Sequence, residues 1–182
     1  MPSGRTHDRI TLWCLPWVVG VAFLLTRSGN LTLIVALAFL FSGLMFGPDL
    51  DIYSVQFKRW GVLRLIWLPY QKLLSHRSFL SHGLIIGTVG RLLYLGGIAL
   101  TVAFVSCALL KLAWNINWNW QRMFQAGITF IQTYPEEAIT LFLGLELGAA
   151  SHSLSDRLGS AYRRRQKRKR QKQGERGKGK NK

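Results

Sequence analysis

Apolar runs without charge alternate with short polar links along most of the chain. The first two runs are ITLWCLPWVVGVAFLLT at 10–26 and LTLIVALAFLFSGLMFG at 31–47. Each has about 17 residues, the short end of the length that crosses a hydrocarbon core of about 30 Å. Only RSGN separates them, so this part of the chain predicts a tight hairpin of two membrane-spanning helices.

Two later runs predict two more membrane-spanning helices. Residues 84–114 form a largely apolar run interrupted by Arg91 and a Gly-Gly pair, and residues 138–154 carry Glu146 near their middle. These runs are apolar on all sides, whereas a helix on the surface of a soluble domain has one apolar stripe. The pattern therefore predicts an all-α membrane protein built as a four-helix transmembrane bundle.

Two connecting segments have the composition of a membrane interface. Residues 53–74 mix tryptophan and tyrosine with lysine and arginine, which is typical of helices lying in the headgroup layer. We expect these helices to be broken near Pro69. Trp114, Trp118 and Trp120 form a predicted aromatic belt on the other side of the membrane.

The positive charge lies mainly at the C-terminus. The chain has a formal charge of +16, and from Arg163 to Lys182 it holds twelve Lys or Arg and one acid. We expect residues 161–182 to be a disordered basic tail that follows a helical transmembrane metal-binding domain at 1–160. The loops rich in Lys and Arg place both termini in the cytoplasm by the positive-inside rule. The predicted location is a bacterial inner or plasma membrane, or a thylakoid membrane.

Histidines and carboxylates gather at the predicted cytoplasmic ends of the four helices. Helix ends in a compact bundle are neighbours, so these side chains can converge. Imidazole with carboxylate is the ligand mixture of zinc, manganese and iron sites. The sequence therefore predicts a divalent metal, zinc first and manganese or iron otherwise, as one or two ions. The predicted ligands are His7, Asp49, Asp51, His76, His82, His152 and Asp156.

Each of these groups also has an interpretation without a metal. The pair His7-Asp8 can be a solvated helix flank, and the acids of GPDLD can cap a turn. His152 and Asp156 are four residues apart, so they share a helix face and can bond to each other. The six-residue spacing of the two central histidines brings them together only if the segment between them turns.

Two further residues are predicted to act in catalysis. Arg77, beside His76, can hold a phosphate in bidentate fashion, although it can also be one of the positive charges of a cytoplasmic loop. Glu146 is costly in lipid and is therefore a functional candidate. It can pair with Arg91 or face the bundle interior in its protonated form.

The order of these motifs resembles a known group of membrane proteins. His7, PDLD at 48–51, HRSFLSH at 76–82 and HSLSD at 152–156 resemble the LexA-regulated inner-membrane metal-dependent hydrolases. In that group the second central histidine follows the first by five residues, whereas here it follows by six. A closer resemblance, from MPSGRTHDRITLW onward, is to an uncharacterised family of predicted metal-binding membrane proteins common in cyanobacteria. The resemblance implies a helical membrane protein with a metal site.

Three functions remain open from the sequence. The first is a metal-dependent hydrolase at the cytoplasmic membrane face, acting on a phosphoester or a lipid phosphate. The second is a structural metal site that clamps helix ends, with a tail that binds anionic lipid or a partner. Metal transport is the weakest, because only Glu146 lies deep in the membrane. We expect membrane lipids as partners and no nucleic acid, since no base-reading pattern accompanies the basic tail.

Overall fold

A computed structural model describes residues 4–74, 78, 81, 83–115 and 118–179, with side chains described except at 4–5, 163 and 167–179. All regular elements in this described part are helices, as the sequence predicted. The four longest are α1 (Gly4–Thr26), α2 (Gly29–Leu44), α5 (Ile86–Trp114) and α7 (Pro135–Gly179). The shorter ones are α3 (Val55–Arg59), α4 (Trp67–Leu73) and α6 (Trp120–Thr133), with 3-10 helices at Pro48–Asp51 and Gly61–Ile66.

The predicted hairpin of the first two helices is present. Only Arg27 and Ser28 separate α1 from α2. Arg27 takes a left-handed conformation with φ 52° and ends α1, and the Ser28 hydroxyl accepts the Leu31 N–H and caps α2. The two helices consequently run antiparallel, and the start of α1 lies beside the end of α2.

Helix α2 is the centre of the bundle, with α1 and α7 packed against it. Gly144 and Gly148, from the sequence GLELG, let α7 approach α2 closely. A Cβ atom at Gly148 would lie 2.5 Å from the Phe39 carbonyl oxygen, and one at Gly144 would lie 2.6 Å from the Cβ of Ala38. Small residues four apart commonly form such close interfaces between membrane helices.

Helix α5 differs from the prediction of an equal fourth member of the bundle. Its buried residues are Gly87, Thr88 and Arg91 near its start, and Cys107. Most of its apolar side chains are exposed, as for Leu93 and Leu112. The structure is thus a three-helix bundle with a peripheral helix, because α5 is apolar on every side and has no stripe that selects one partner.

The segment between α2 and α5 folds back on the bundle instead of lying flat at a surface. Phe57, Trp67 and Tyr70 are buried with Phe46 and Leu50 in one apolar core. Pro69 does not break the segment, which corrects the prediction. It is the third residue of α4, within the first turn, where the missing N–H has no intrahelical partner to lose.

Helix α6 is strongly amphipathic and buries none of its residues. It begins at the predicted tryptophan belt, where Asn119 caps it by accepting the Arg122 N–H. Phe124, Ile128 and Ile131 lie exposed on one helical face. The sequence pattern did not predict this helix.

Helix α7 continues through the basic segment to Gly179, whereas the sequence predicted a disordered tail from residue 161. Lys, Arg and Gln are all good helix formers, so local propensity favours this continuation.

Three stretches are long and apolar enough to cross a membrane, by length and composition: Thr6–Thr26, Gly29–Asp51 and Ile86–Trp114. The predicted fourth span at 138–154 is not among those found in the described residues. Glu146 and the polar run SHS at 151–153 lower its hydropathy.

Candidate metal centre

Three elements meet at one end of the bundle and bring distant polar side chains together. His7 lies in the first turns of α1, and Asp49 lies in the 3-10 helix after α2. His152 and Asp156 lie in the middle of α7. His7, His152 and Asp156 are buried, and one ligand atom from each lies within 4.8 Å of the others. The structure thus brings together four of the seven predicted ligands.

Ser155 lies against one ring nitrogen of His7. The Ser155 hydroxyl oxygen lies 2.8 Å from the His152 carbonyl oxygen and 2.5 Å from Nδ1 of His7. Nε2, the other ring nitrogen, faces Asp156. It lies 3.4 Å from Oδ1 of Asp156.

Gln56 lies against one ring nitrogen of His152. The Gln56 amide Nε2 lies 3.4 Å from Nδ1 of His152 and donates to the Gly43 carbonyl oxygen at 2.9 Å. On the other side of the ring, Nε2 of His152 lies 3.2 Å from Oδ2 of Asp49. Polar neighbours at both ring nitrogens thus fix the orientation of the His152 imidazole.

The donor atoms fit a divalent transition metal. The His7 and His152 rings stack with centroids 4.0 Å apart and present two nitrogens near carboxylate oxygens. Nε2 of His152 and Oδ1 of Asp156 are buried and have no hydrogen-bond partner within the described part of the chain. Buried polar atoms are usually paired, so close nitrogen and oxygen atoms without a hydrogen bond suit a cation between them. Zinc, manganese and iron all accept this donor set.

A neighbouring ion pair fixes α1 to the segment after α2. Arg59 donates to both carboxylate oxygens of Asp8, at 2.9 and 2.6 Å, and to the Leu44 carbonyl oxygen at 2.8 Å. Bidentate pairs of this kind restrict orientation as well as distance. Asp8, next to His7 in sequence, thus has a packing role through Arg59.

A second polar cluster contains the predicted residues Asp51 and Glu146. Asp51 accepts a hydrogen bond from the Ser81 hydroxyl at 2.5 Å, and Arg91 donates to the Ser81 carbonyl oxygen at 3.1 Å. Glu146 accepts the Ile85 N–H at 2.8 Å and interacts electrostatically with Arg91. No hydrogen bond or ion pair joins Glu146 to Arg91 within the described residues, so their direct pairing, one of the two roles that the sequence left open, stays a prediction.

Arg91 is the centre of this second cluster. It is 1% exposed, and it also donates to Thr88 at 3.0 Å. Tyr70 lies beside it, and burial raises the pKa of the Tyr70 phenol, so that the ring is neutral. A buried arginine surrounded by carbonyl, hydroxyl and carboxylate groups is a structural anchor between α4, α5 and α7.

Three predicted site residues, His76, Arg77 and His82, lie outside the described residues. Their assignment as ligands or as a catalytic group stays a prediction.

Sequence reasoning missed Ser155 and Gln56. Ser155 lies within the HSLSD motif, three residues after His152, so a shared helix face could have indicated it. Gln56 is 96 positions from His152, and no spacing in the sequence connects the two.

Comparison with known proteins agrees with the chemistry of the site. No curated protein and no solved structure matches the chain significantly. Residues 2–166 match the family described as Uncharacterized metal-binding protein (DUF2227). This match contains α1 to α5 completely and every residue of the cluster around His7. The chain therefore belongs to this uncharacterised family of metal-binding proteins.

Proposed function

We propose that this protein is an integral membrane metalloprotein that hydrolyses phosphoesters, with a lipid phosphate as its substrate. His7, Asp49, His152 and Asp156 would hold one or two divalent ions, zinc first and manganese or iron otherwise. The observation that carries the proposal is the buried cluster of His7, His152 and Asp156, in which one ligand atom of each residue lies within 4.8 Å of the others.

A membrane location is supported by three apolar helices of sufficient length. In this arrangement the metal-binding end of the bundle faces the cytoplasm. The basic residues of the segment after α2, together with the basic part of α7, lie at that end, as the positive-inside rule requires. The site would then open at the level of the lipid headgroups.

The chain's own residues divide the work at this site. When bound, a metal of this class supplies a water molecule of lowered pKa for attack on phosphorus. Ser155 orients His7. Gln56 orients His152 through its amide nitrogen, which lies beside Nδ1 of the ring and donates to the Gly43 carbonyl oxygen. Arg157, exposed next to Asp156, supplies positive charge for an anionic substrate.

The test is release of phosphate from phosphatidic acid in vesicles by the purified full-length protein. We expect activity with zinc or manganese, and loss of at least 100-fold in Asp156→Asn. Asp8→Asn is the matched control, because Asp8 pairs with Arg59, and it should retain activity. Metal-loaded protein that releases no phosphate from phosphatidic acid or from soluble phosphomonoesters and diesters would contradict the hydrolase part.

The burial of the ligands favours a second candidate function, a structural metal clamp. The side chains of His7 and His152 are only 5% and 2% exposed, and structural metal sites are closed to substrate. In that case His152→Ala would lower thermal stability in step with metal loss, and no activity would be lost because none exists.

A further inference from the structure

A long apolar groove runs between α1 and α7, with α2 as its floor. The section nearer the metal centre has a volume of about 380 Å³ and is lined by residues that include Cys14, Val18, Phe39 and Leu147. A second section of about 340 Å³ follows toward the other end of the bundle, and it also includes Val18 and Leu147. The two sections therefore adjoin each other along the helices at Val18 and Leu147, and both are lined almost entirely by apolar side chains.

The groove leads to the metal centre. Cys14 lies seven residues after His7, two turns along the same face of α1. On α7 the lining includes Ser153 and Arg157, which adjoin His152 and Asp156 in sequence. A molecule in the groove would thus have one end beside the cluster of histidines and carboxylates.

The groove changes from apolar to charged at this end. Arg157 lines it and is exposed, and no carboxylate partner of Arg157 is found within the described residues. The cation is therefore available to an anion from outside the chain. An apolar slot with one cation at its mouth is complementary to a hydrocarbon chain with an anionic headgroup.

We propose that this groove binds one hydrocarbon chain of a phosphorylated lipid and places its phosphate between Arg157 and the metal centre. Each section is within the 300–1,000 Å³ typical of small-molecule sites. The inference rests on the proposed function, since it assigns the substrate class of the same site. It adds a chain-binding groove and a headgroup cation that the metal ligands alone do not define.

Two variants separate the chain from the headgroup. Val18→Trp fills the groove where its two sections meet, about 16 Å along α1 from His7, given a rise of 1.5 Å per residue. Val102→Trp, on the exposed face of α5, adds the same bulk elsewhere. Arg157→Gln removes the cation at the mouth of the groove. Its control is Arg122→Gln, which removes an exposed cation on α6.

The measurement is lipid binding by native mass spectrometry of the full-length protein, with phosphatidic acid and phosphatidylcholine of identical chains. We expect the wild-type protein to prefer phosphatidic acid at least tenfold. Val18→Trp should lose at least tenfold in affinity for both lipids, and Arg157→Gln should bind both equally. Val102→Trp and Arg122→Gln should behave as wild type.

Equal binding of the two lipids by the wild-type protein, or unchanged binding by Val18→Trp, would overturn the inference. Metal content, measured on the same samples, distinguishes failure of this inference from failure of the proposed function. A protein that prefers phosphatidic acid but binds no metal would support the groove and contradict the metalloenzyme. A metal-loaded protein that hydrolyses phosphoesters but has no lipid preference would support the metalloenzyme and contradict the groove.

Discussion

The Ser155 hydroxyl oxygen lies 2.5 Å from Nδ1 of His7, although the two residues are 148 positions apart in the chain. This contact joins the first helix to the last one. The same hydroxyl lies 2.8 Å from the His152 carbonyl oxygen. One serine therefore contacts both histidines of the candidate metal centre.

Replacing Ser155 by alanine should weaken metal binding without removing a ligand. The loss of a hydrogen-bond partner behind a metal-binding histidine typically lowers affinity 10- to 100-fold, and we expect Ser155→Ala to fall in that range. Competition with a chromophoric chelator in detergent measures it. Ser151→Ala is the control, since its hydroxyl bonds to the Gly148 carbonyl oxygen and does not contact either ring. Equal affinity of both variants would rule out this role of Ser155.

Removing the metal should destabilise the fold, because the ligands come from α1, the 3-10 helix after α2, and α7. A metal present at 100 times its Kd adds about 2.7 kcal/mol to the folded state. We therefore expect a chelator to lower the unfolding temperature of the wild-type protein, whereas His7→Ala should already unfold at that lower temperature and respond little. Differential scanning fluorimetry in detergent tests this. If the chelator leaves the unfolding temperature of the wild-type protein unchanged, a metal does not stabilise the fold.

The close contact between α2 and α7 should not tolerate a methyl group. Gly148→Ala places a Cβ atom against the Phe39 carbonyl oxygen, and such overpacking costs about 1–3 kcal/mol. Gly97→Ala is the matched control, because nothing lies within 4 Å of a Cβ at that position and alanine is the better helix former. Denaturant unfolding in mixed micelles compares the two. The account of the interface fails if Gly148→Ala is as stable as Gly97→Ala.

Arg91 should be required for stability through its buried neighbours. Arg91→Leu would remove the buried donor to Ser81 and Thr88 and the positive charge near Glu146, and each buried polar group left without its partner costs about 1–3 kcal/mol. Adding Glu146→Gln should recover part of this loss. The exposed residue Arg122 provides the control, since Arg122→Leu should change stability by less than about 0.5 kcal/mol. If Arg91→Leu proves equally harmless, Arg91 is not the anchor described above.

The helices and the histidine cluster could be predicted from the sequence for a simple physical reason. In a hairpin of two helices, the start of the first lies beside the end of the second. His7 lies at the start of α1 and Asp49 follows α2, so their proximity follows from the hairpin alone. The contact of α7 with α2 was not predicted, although GLELG places two small residues four apart in an apolar run.

Other features could not be read from the pattern. Trp67 is buried through tertiary packing, which the local sequence does not indicate. Its neighbours in sequence are aromatic and basic, and they suit a membrane surface equally well. Pro69 is tolerated only because it lies in the first turn of α4, a position that composition cannot determine. Gln56 contacts His152 through a fold-back of the chain, and a single glutamine carries no local signal of that contact.

The metal content of the purified full-length protein tests the central claim most directly. After expression with zinc, manganese and iron supplied, elemental analysis should find at least one divalent ion per chain in the wild-type protein and in Asp8→Asn. His152→Ala and Asp156→Asn should be depleted while circular dichroism shows that both remain helical. A wild-type protein without metal, or folded variants that retain the full amount, would contradict the account.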